Sequence, residues 1–269
     1  MRARRFWAAL GSLTLVMGVA APSNAADPPE TMAALGDSIT VAYDATKLLA
    51  AQPEYSWSTG YSTYVWSVSQ RLNIARESAV NIAKSGTKMK DLAGQASSVS
   101  LVEGTDLVTI LMGANDACTS SVGTMTDPVL FRSQFSQALG VLVGTKHVDQ
   151  SVVASIPNIE QLWSVYKDSS SARFVWGLYK ICQSMLANPT SFKAADVKRR
   201  AEVTKRVGEF NLALKEVCAS VSVCRYDNGA VFATTFTRND VSKVDYFHPS
   251  VAGQNLLATT TAGAFGFGS

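Results

Sequence analysis

Histidine is the scarcest chemical group in this chain. Only His147 and His248 occur among 269 residues. There are four cysteines, with no CxxC pair and no Cys/His spacing of the kind that holds zinc. After residue 25 no apolar run reaches 18 residues, so nothing in that part resembles a membrane-spanning helix. The Gly-x-Ser-x-Gly elbow of α/β-hydrolases is missing there, as are metalloprotease and dinucleotide-binding signatures. The glycine-rich tail, Gly263 to Gly268, follows no strand pattern and precedes no helix, so it reads as a frayed terminus. These absences leave little room for metal, nucleotide or thiol chemistry.

Charge of either sign is also not in excess. Arg2, Arg4 and Arg5 precede an apolar run from Phe6 to Ala20, which ends at Pro22 and the small-residue site Ser23-Asn24-Ala25. That order is the pattern of a secretory signal peptide, 1–25, cleaved after Ala25. The run is too short for an anchor. The chain has 24 basic and 21 acidic residues, and removing the three arginines leaves 21 of each. The basic character thus belongs to the leader, and nothing in the balance calls for a nucleic-acid or anionic-membrane partner. The remaining 244 residues, 26–269, suit a single domain with a sizeable core.

Short apolar runs alternate with helical patterns. Thr31–Leu35, Ala79–Ala83, Asp106–Met112, Ser151–Ile156 and Val221–Tyr226 read as five strands. Ser62–Ile74, Met89–Val99, Pro128–Val143 and Ala194–Val217 read as helices, with a further helical pattern from Pro249 through Ala262. In Pro128–Val143, Phe131, Phe135, Ala138, Leu139 and Leu142 share one face. The alternation predicts an α/β fold with a parallel sheet covered on both sides. Ser38, Gly86, Asn115 and Asn158 each follow a strand, on the rim where such folds bind ligands. Two segments break the rhythm. One is Tyr43–Gly60, with Pro53, Tyr55 and Trp57. The other is an excursion at 157–193, with Trp163, Tyr166, Phe174, Trp176 and Tyr179. Its aromatics either line an apolar pocket or lid, or pack a small helical unit against the sheet.

Cys118, Cys182, Cys218 and Cys224 form an even set behind a signal sequence, which points to disulfides. Three pairings are possible. Cys218 and Cys224 flank a helix end and the next strand, and we expect Cys118–Cys182 and Cys218–Cys224.

The chemistry-bearing segments are Gly36-Asp37-Ser38, Gly86, Gly113-Ala114-Asn115-Asp116 and Asp245-x-x-His248. A serine, an aspartate and a histidine in that order can make a nucleophile, an orienting acid and a general base. An uncharged side-chain amide and a rim glycine can donate to an oxyanion. Each segment alone is also an ordinary turn or helix cap.

Together these blocks resemble the SGNH hydrolases, also called GDSL lipases and esterases. The serine, glycine, asparagine and histidine of that family match Ser38, Gly86, Asn115 and His248, across residues 31–262, with Ile39 in place of the usual leucine. Ser56-Trp57-Ser58-Thr59-Gly60 and Cys118 look like the secreted actinobacterial and phospholipase B-like branch. The resemblance implies a three-layer α/β/α sandwich with a five-stranded parallel sheet, SGNH or flavodoxin-like. It implies catalysis by Ser38, His248 and Asp245, with an oxyanion hole from Ser38, Gly86 and Asn115. Asp37 and Asp116 are then structural. No cofactor or metal is expected. The expected partner is a small-molecule or lipid ester, with no nucleic acid and no stable membrane anchor, and the chain acts as a monomer. Alternatives are a carbohydrate O-acyl esterase and an inactive secreted binding protein on the same scaffold.

Overall fold

The computed structural model describes residues 28–102, 104–146 and 148–268. The signal-peptide segment and His147 lie outside these residues. Five parallel strands form one sheet: β1 (Met32–Gly36), β2 (Ala79–Asn81), β3 (Leu107–Leu111), β4 (Gln150–Val153) and β5 (Cys224–Tyr226). Their order across the sheet is β2-β1-β3-β4-β5. Every residue of β1 and β3 is buried, as expected for a parallel sheet covered on both faces.

Among the described residues, ten α-helices connect and cover the strands. They are α1 (Val68–Arg71), α2 (Leu92–Val99), α3 (Ala114–Ala117), α4 (Pro128–Gly144), α5 (Ile159–Tyr166), α6 (Ser170–Leu178), α7 (Gln183–Leu186), α8 (Ala194–Ala219), α9 (Ala230–Ala233) and α10 (Val251–Phe265). The α/β fold and the five-stranded parallel sheet agree with the sequence reading. Helix α4 starts where Asp127 accepts bonds from the amides of Val129 and Leu130 with Pro128 behind it, a favourable first turn. Its five predicted apolar positions are all buried, and Phe131 stacks on Phe210 of α8 at 4.0 Å. Each such side chain contributes about 1.5–3 kcal/mol on leaving water.

Three local expectations fail for identifiable reasons. Of Ser62–Ile74 only Val68–Arg71 is helical. The amides of Val68 and Ser69, which a helix from Ser62 would send to Tyr64 and Val65, donate instead to the carbonyls of Trp57 (3.0 Å) and Ser58 (2.9 Å). Residues Met89–Asp91 form a 3-10 turn and α2 begins at Leu92, because the Asp91 and Leu92 amides bond three residues back, to the Lys88 and Met89 carbonyls. The tail is not frayed. Gly263 lies inside α10, and Gly266 takes the left-handed conformation that ends it at φ 73°. The Phe267 amide then bonds back to Ala262 at 2.9 Å and its ring is buried.

Both disulfides pair as expected, Cys118–Cys182 and Cys218–Cys224. They span 64 and 6 residues. By loop-closure entropy the first should stabilise by about 4 kcal/mol and the second by about 2 kcal/mol. Cys118→Ser/Cys182→Ser should therefore lower the urea midpoint by more than Cys218→Ser/Cys224→Ser does. The reverse order in equilibrium unfolding would show that loop length is not what these bridges contribute.

Candidate active site

Strand β1 ends at Gly36, and nothing larger fits there. A Cβ would meet Thr40 Oγ1 at 2.4 Å and the Leu111 carbonyl at 2.5 Å, and φ is 155°. Gln95 of α2 clamps the strand end. It accepts from the Gly36 amide at 2.8 Å and donates to the Gly36 carbonyl at 2.9 Å. The chain then turns: the Ile39 amide donates to Asp37 Oδ1 at 2.9 Å, and the Thr40 and Val41 amides to the Asp37 carbonyl. This tight turn, with no helix, delivers Ser38 to the rim.

His248 arrives 210 residues later in sequence. Its Nε2 lies 2.8 Å from Ser38 Oγ, and its Nδ1 lies 2.5 Å from Asp245 Oδ2. The other Asp245 oxygen accepts the amides of Phe247 (2.9 Å) and His248 (3.1 Å). One carboxylate thus fixes both the ring and its backbone. Between them Tyr246 sits at φ 57°, a costly conformation for a tyrosine. Trp176 of α6 holds it there, with Nε1 donating to the Tyr246 carbonyl at 3.1 Å, while Tyr166 packs edge-on against its ring. The loop is tied at its base by Ser242, whose amide donates to the His248 carbonyl at 2.8 Å.

Gly86 and Asn115 flank Ser38 because β2 and β3 flank β1. Gly86 has φ 79° in a turn that Thr87 closes on the Lys84 carbonyl. Asn115 stands in the first turn of α3, and its Nδ2 donates to the Thr87 carbonyl at 2.9 Å. That bond uses one amide hydrogen and leaves the other available. Among the described residues, the Ser38 and Gly86 amides donate to no protein acceptor. Asn115, Gly86 and Ser38 line one cleft together with His248. The sequence-predicted residues Ser38, Gly86, Asn115, Asp245 and His248 are thereby brought together. Asn158 caps α5, accepting from the amides of Glu160 and Gln161, and borders the apolar side of the site.

Two clefts meet at Ser38. One is apolar, walled by Ile39, Ile159, Leu162, Phe236, Val241 and Phe247. The other holds Tyr43, Asp44, Leu48, Leu49 and Tyr179. The excursion at 157–193 gives the apolar cleft Pro157, Ile159 and Leu162, while its aromatic rings come from Phe236 and Phe247 outside the excursion. Trp176 and Tyr166 are buried and brace the His248 loop. Trp57 is core as well, its Nε1 reaching Thr40 Oγ1 at 3.3 Å.

Sequence reasoning missed Asp44, Gln95 and the Phe236–Val241 wall. None carried a local signal, since each is placed by a contact distant in sequence. Asp44 is buried, and one of its oxygens lies with an Asp245 oxygen and a His248 nitrogen inside a 4.8 Å circle. Burial, and then Asp245, hold the Asp44 carboxyl above its ordinary range. This trio does not suit a metal ion, because both His248 nitrogens already face Ser38 and Asp245.

The sequence profile of the GDSL-like Lipase/Acylhydrolase family matches residues 34–256. The chain belongs to that family. Among solved structures, this GDSL-like hydrolase is similar to an α/β hydrolase enzyme from the metagenome of Lake Arreo, Spain. The two are 15% identical with a TM-score of 0.53, covering 88% of this chain and 95% of that one. A catalytic mutant of an acetylxylan esterase from Geobacillus stearothermophilus is 16% identical, with a TM-score of 0.52 over 88% and 94% of the chains. A lipase/acylhydrolase from Enterococcus faecalis is 19% identical, with a TM-score of 0.51 over 86% and 92%. At these identities the likeness concerns the fold. No curated protein matches in sequence.

Asp37 is the strained member of the site. It is fully buried, its Oδ2 has no partner, and burial pushes its carboxyl up to about 7. The raised folded value means the fold prefers the protonated acid. Its stabilising effect is complete below the unfolded value of 3.8 and is lost as pH rises through about 7. The isosteric change Asp37→Asn removes this slope. Between pH 4.5 and pH 8 wild type should lose about 3–4 kcal/mol more than the variant in urea unfolding. Parallel stability curves would show that Asp37 does not change protonation there.

Proposed function

We propose that this family member is a serine esterase that passes through an acyl-enzyme on Ser38. The observation that carries the reading is the continuous relay from Ser38 Oγ through His248 Nε2 (2.8 Å) and Nδ1 to Asp245 (2.5 Å). Ser38 attacks the ester carbonyl carbon and its proton passes to His248 Nε2. Asp245 fixes the tautomer and stabilises the imidazolium. The carbonyl oxygen becomes an oxyanion that accepts from the Ser38 and Gly86 amides and the free hydrogen of Asn115. Each such donor is worth about 2.7–4 kcal/mol in the transition state. His248 returns the proton to the leaving alcohol. Water then attacks the acyl-enzyme with His248 again as base.

A lipid ester is the favoured substrate. An acyl chain suits the apolar cleft, where Ile159, Leu162, Phe236 and Phe247 offer no polar partner for a sugar. The carbohydrate reading is the alternative, since a polysaccharide O-acetyl group would need only the neck of that cleft. The phospholipase B-like branch, secretion with loss of residues 1–25, and action as a monomer complete the proposal. In support of export, the two disulfides suit an oxidising compartment, and no helix among the described residues is long and apolar enough to cross a membrane.

Ser38→Ala and His248→Ala should each lower kcat by about 10⁴-fold or more, and the double variant should be little worse than either. Retained activity within tenfold of wild type sinks the assignment. Asn115→Ala should cost about 10²–10³ in kcat with little change in KM. A pure KM effect would move Asn115 to substrate binding. Leu162→Trp, which fills the apolar cleft, should cut turnover of long-chain p-nitrophenyl esters by about tenfold or more relative to the acetate ester. Equal loss on both, with acetylated xylan the better substrate, would favour the carbohydrate reading.

A further inference from the structure

The balanced net charge hides a local arrangement around the second cleft. Its outer rim comes from three segments distant in sequence: Leu48 and Leu49, Ser85 and Gly86, and Tyr179 and Ile181. Each segment carries an exposed lysine beside a lining residue: Lys47, Lys84 and Lys180. None of the three pairs with a carboxylate among the described residues. The two acids that line the cleft, Asp44 and Asp245, are buried beneath the rim. Three exposed lysines thus stand next in the chain to residues of the mouth, while its two acids are buried.

The same rim is apolar where it should be wet. Leu48 is 48% exposed, Leu49 66% and Tyr179 48%. Helix α6 leads into Tyr179. It buries Ala172 and Trp176 and turns Phe174 (69%) and Leu178 (57%) to solvent, one turn apart on the same face. Leu49 also holds a left-handed backbone at φ 55°, which is costly for leucine. The loop that carries it is pinned at both ends, because the Asp44 amide donates to the Ala50 carbonyl at 2.9 Å and the Ala50 amide to Asp44 Oδ1 at 3.2 Å. The chain thus spends backbone strain on a loop whose two leucines gain little burial in return.

We propose that this mouth docks reversibly on an anionic lipid surface, with Leu48, Leu49, Phe174, Leu178 and Tyr179 entering the interface and Lys47, Lys84 and Lys180 meeting the headgroups. Exposed aliphatic and aromatic side chains flanked by lysines are what an interfacial surface needs, whereas a soluble anion has no use for the leucines. Docked this way, the cleft that reaches Ser38 opens onto the bilayer, so an ester leaves the surface without crossing water. The inference rests on the esterase reading and supplies the source of its substrate.

The test is co-sedimentation of the Ser38→Ala protein with vesicles of equal phosphatidylglycerol and phosphatidylcholine, and with phosphatidylcholine alone. Binding should favour the anionic vesicles and fall with added salt. Lys47→Gln/Lys84→Gln/Lys180→Gln should weaken it by about 100-fold, at about fivefold per charge lost from the surface. Leu48→Asp/Leu49→Asp should weaken it by at least tenfold. Absence of binding, or binding that either variant leaves unchanged, overturns the proposal. So does equal capture by dextran sulfate that the leucine variant does not alter, because that is attraction to any polyanion. Fluorophosphonate labelling of the protein with Ser38 intact keeps the two claims apart. Labelling without vesicle binding removes only the docking surface, whereas no labelling at Ser38 removes the esterase reading itself.

Discussion

Hydrogen-bonded neighbouring strands lie about 4.8 Å apart, and that spacing sets the scale of this site. β2, β1 and β3 run side by side in the same direction, so the segments after β2 and β3 each start one strand's width from the turn after β1. Gly86, Ser38 and Asn115 stand in those three segments. No long-range folding device is needed to bring three oxyanion-donor candidates together, because the sheet register does it. The constraint also explains the crowding at Gly36, where a side chain would strike Thr40 and the carbonyl of Leu111 on β3. The close passage of β1 against β3 leaves room only for hydrogen there.

His248 has no such help. It belongs to a loop before the last helix, and its place depends on contacts from elsewhere in the chain. Asp245 ties ring to backbone, Trp176 takes the Tyr246 carbonyl, and Ser242 joins the loop to itself and to Asp44. Gln254 of α10 adds a direct link to the Ser38 turn, donating to the Ile39 carbonyl at 2.7 Å and accepting from the Trp57 amide at 2.9 Å. The Ser242 and Gln254 bonds are buried, so each is costly to leave unmade. The aromatic excursion therefore has a structural task near the site, holding the histidine loop, beside its aliphatic contribution to the apolar cleft.

How far the sequence could be read follows from this division. The strands were legible because β1 and β3 are short and strongly apolar, with a glycine at the end of β1 and two residues past β3, and α4 because its apolar face keeps a strict helical period. The convergence of the five candidate residues was legible because each sits in a block that follows a strand or precedes the last helix. Ser62–Ile74 was misread because helical periodicity says nothing about where single amides go, and the Trp57 and Ser58 carbonyls take those of Val68 and Ser69. The composition of the apolar cleft was only half legible, since Phe236 and Phe247 reach it through tertiary folding. Net charge, a sum over the chain, could not report that Lys47, Lys84 and Lys180 stand next to residues of one mouth.

The central claim is that Ser38 is acylated. Its most direct measurement is mass spectrometry of protein mixed rapidly with a p-nitrophenyl ester and quenched in acid. The account expects one added acyl mass per chain, mapped to the peptide bearing Ser38, released on longer incubation and absent from His248→Ala. Turnover with no acyl adduct, or an adduct on another residue, would contradict it.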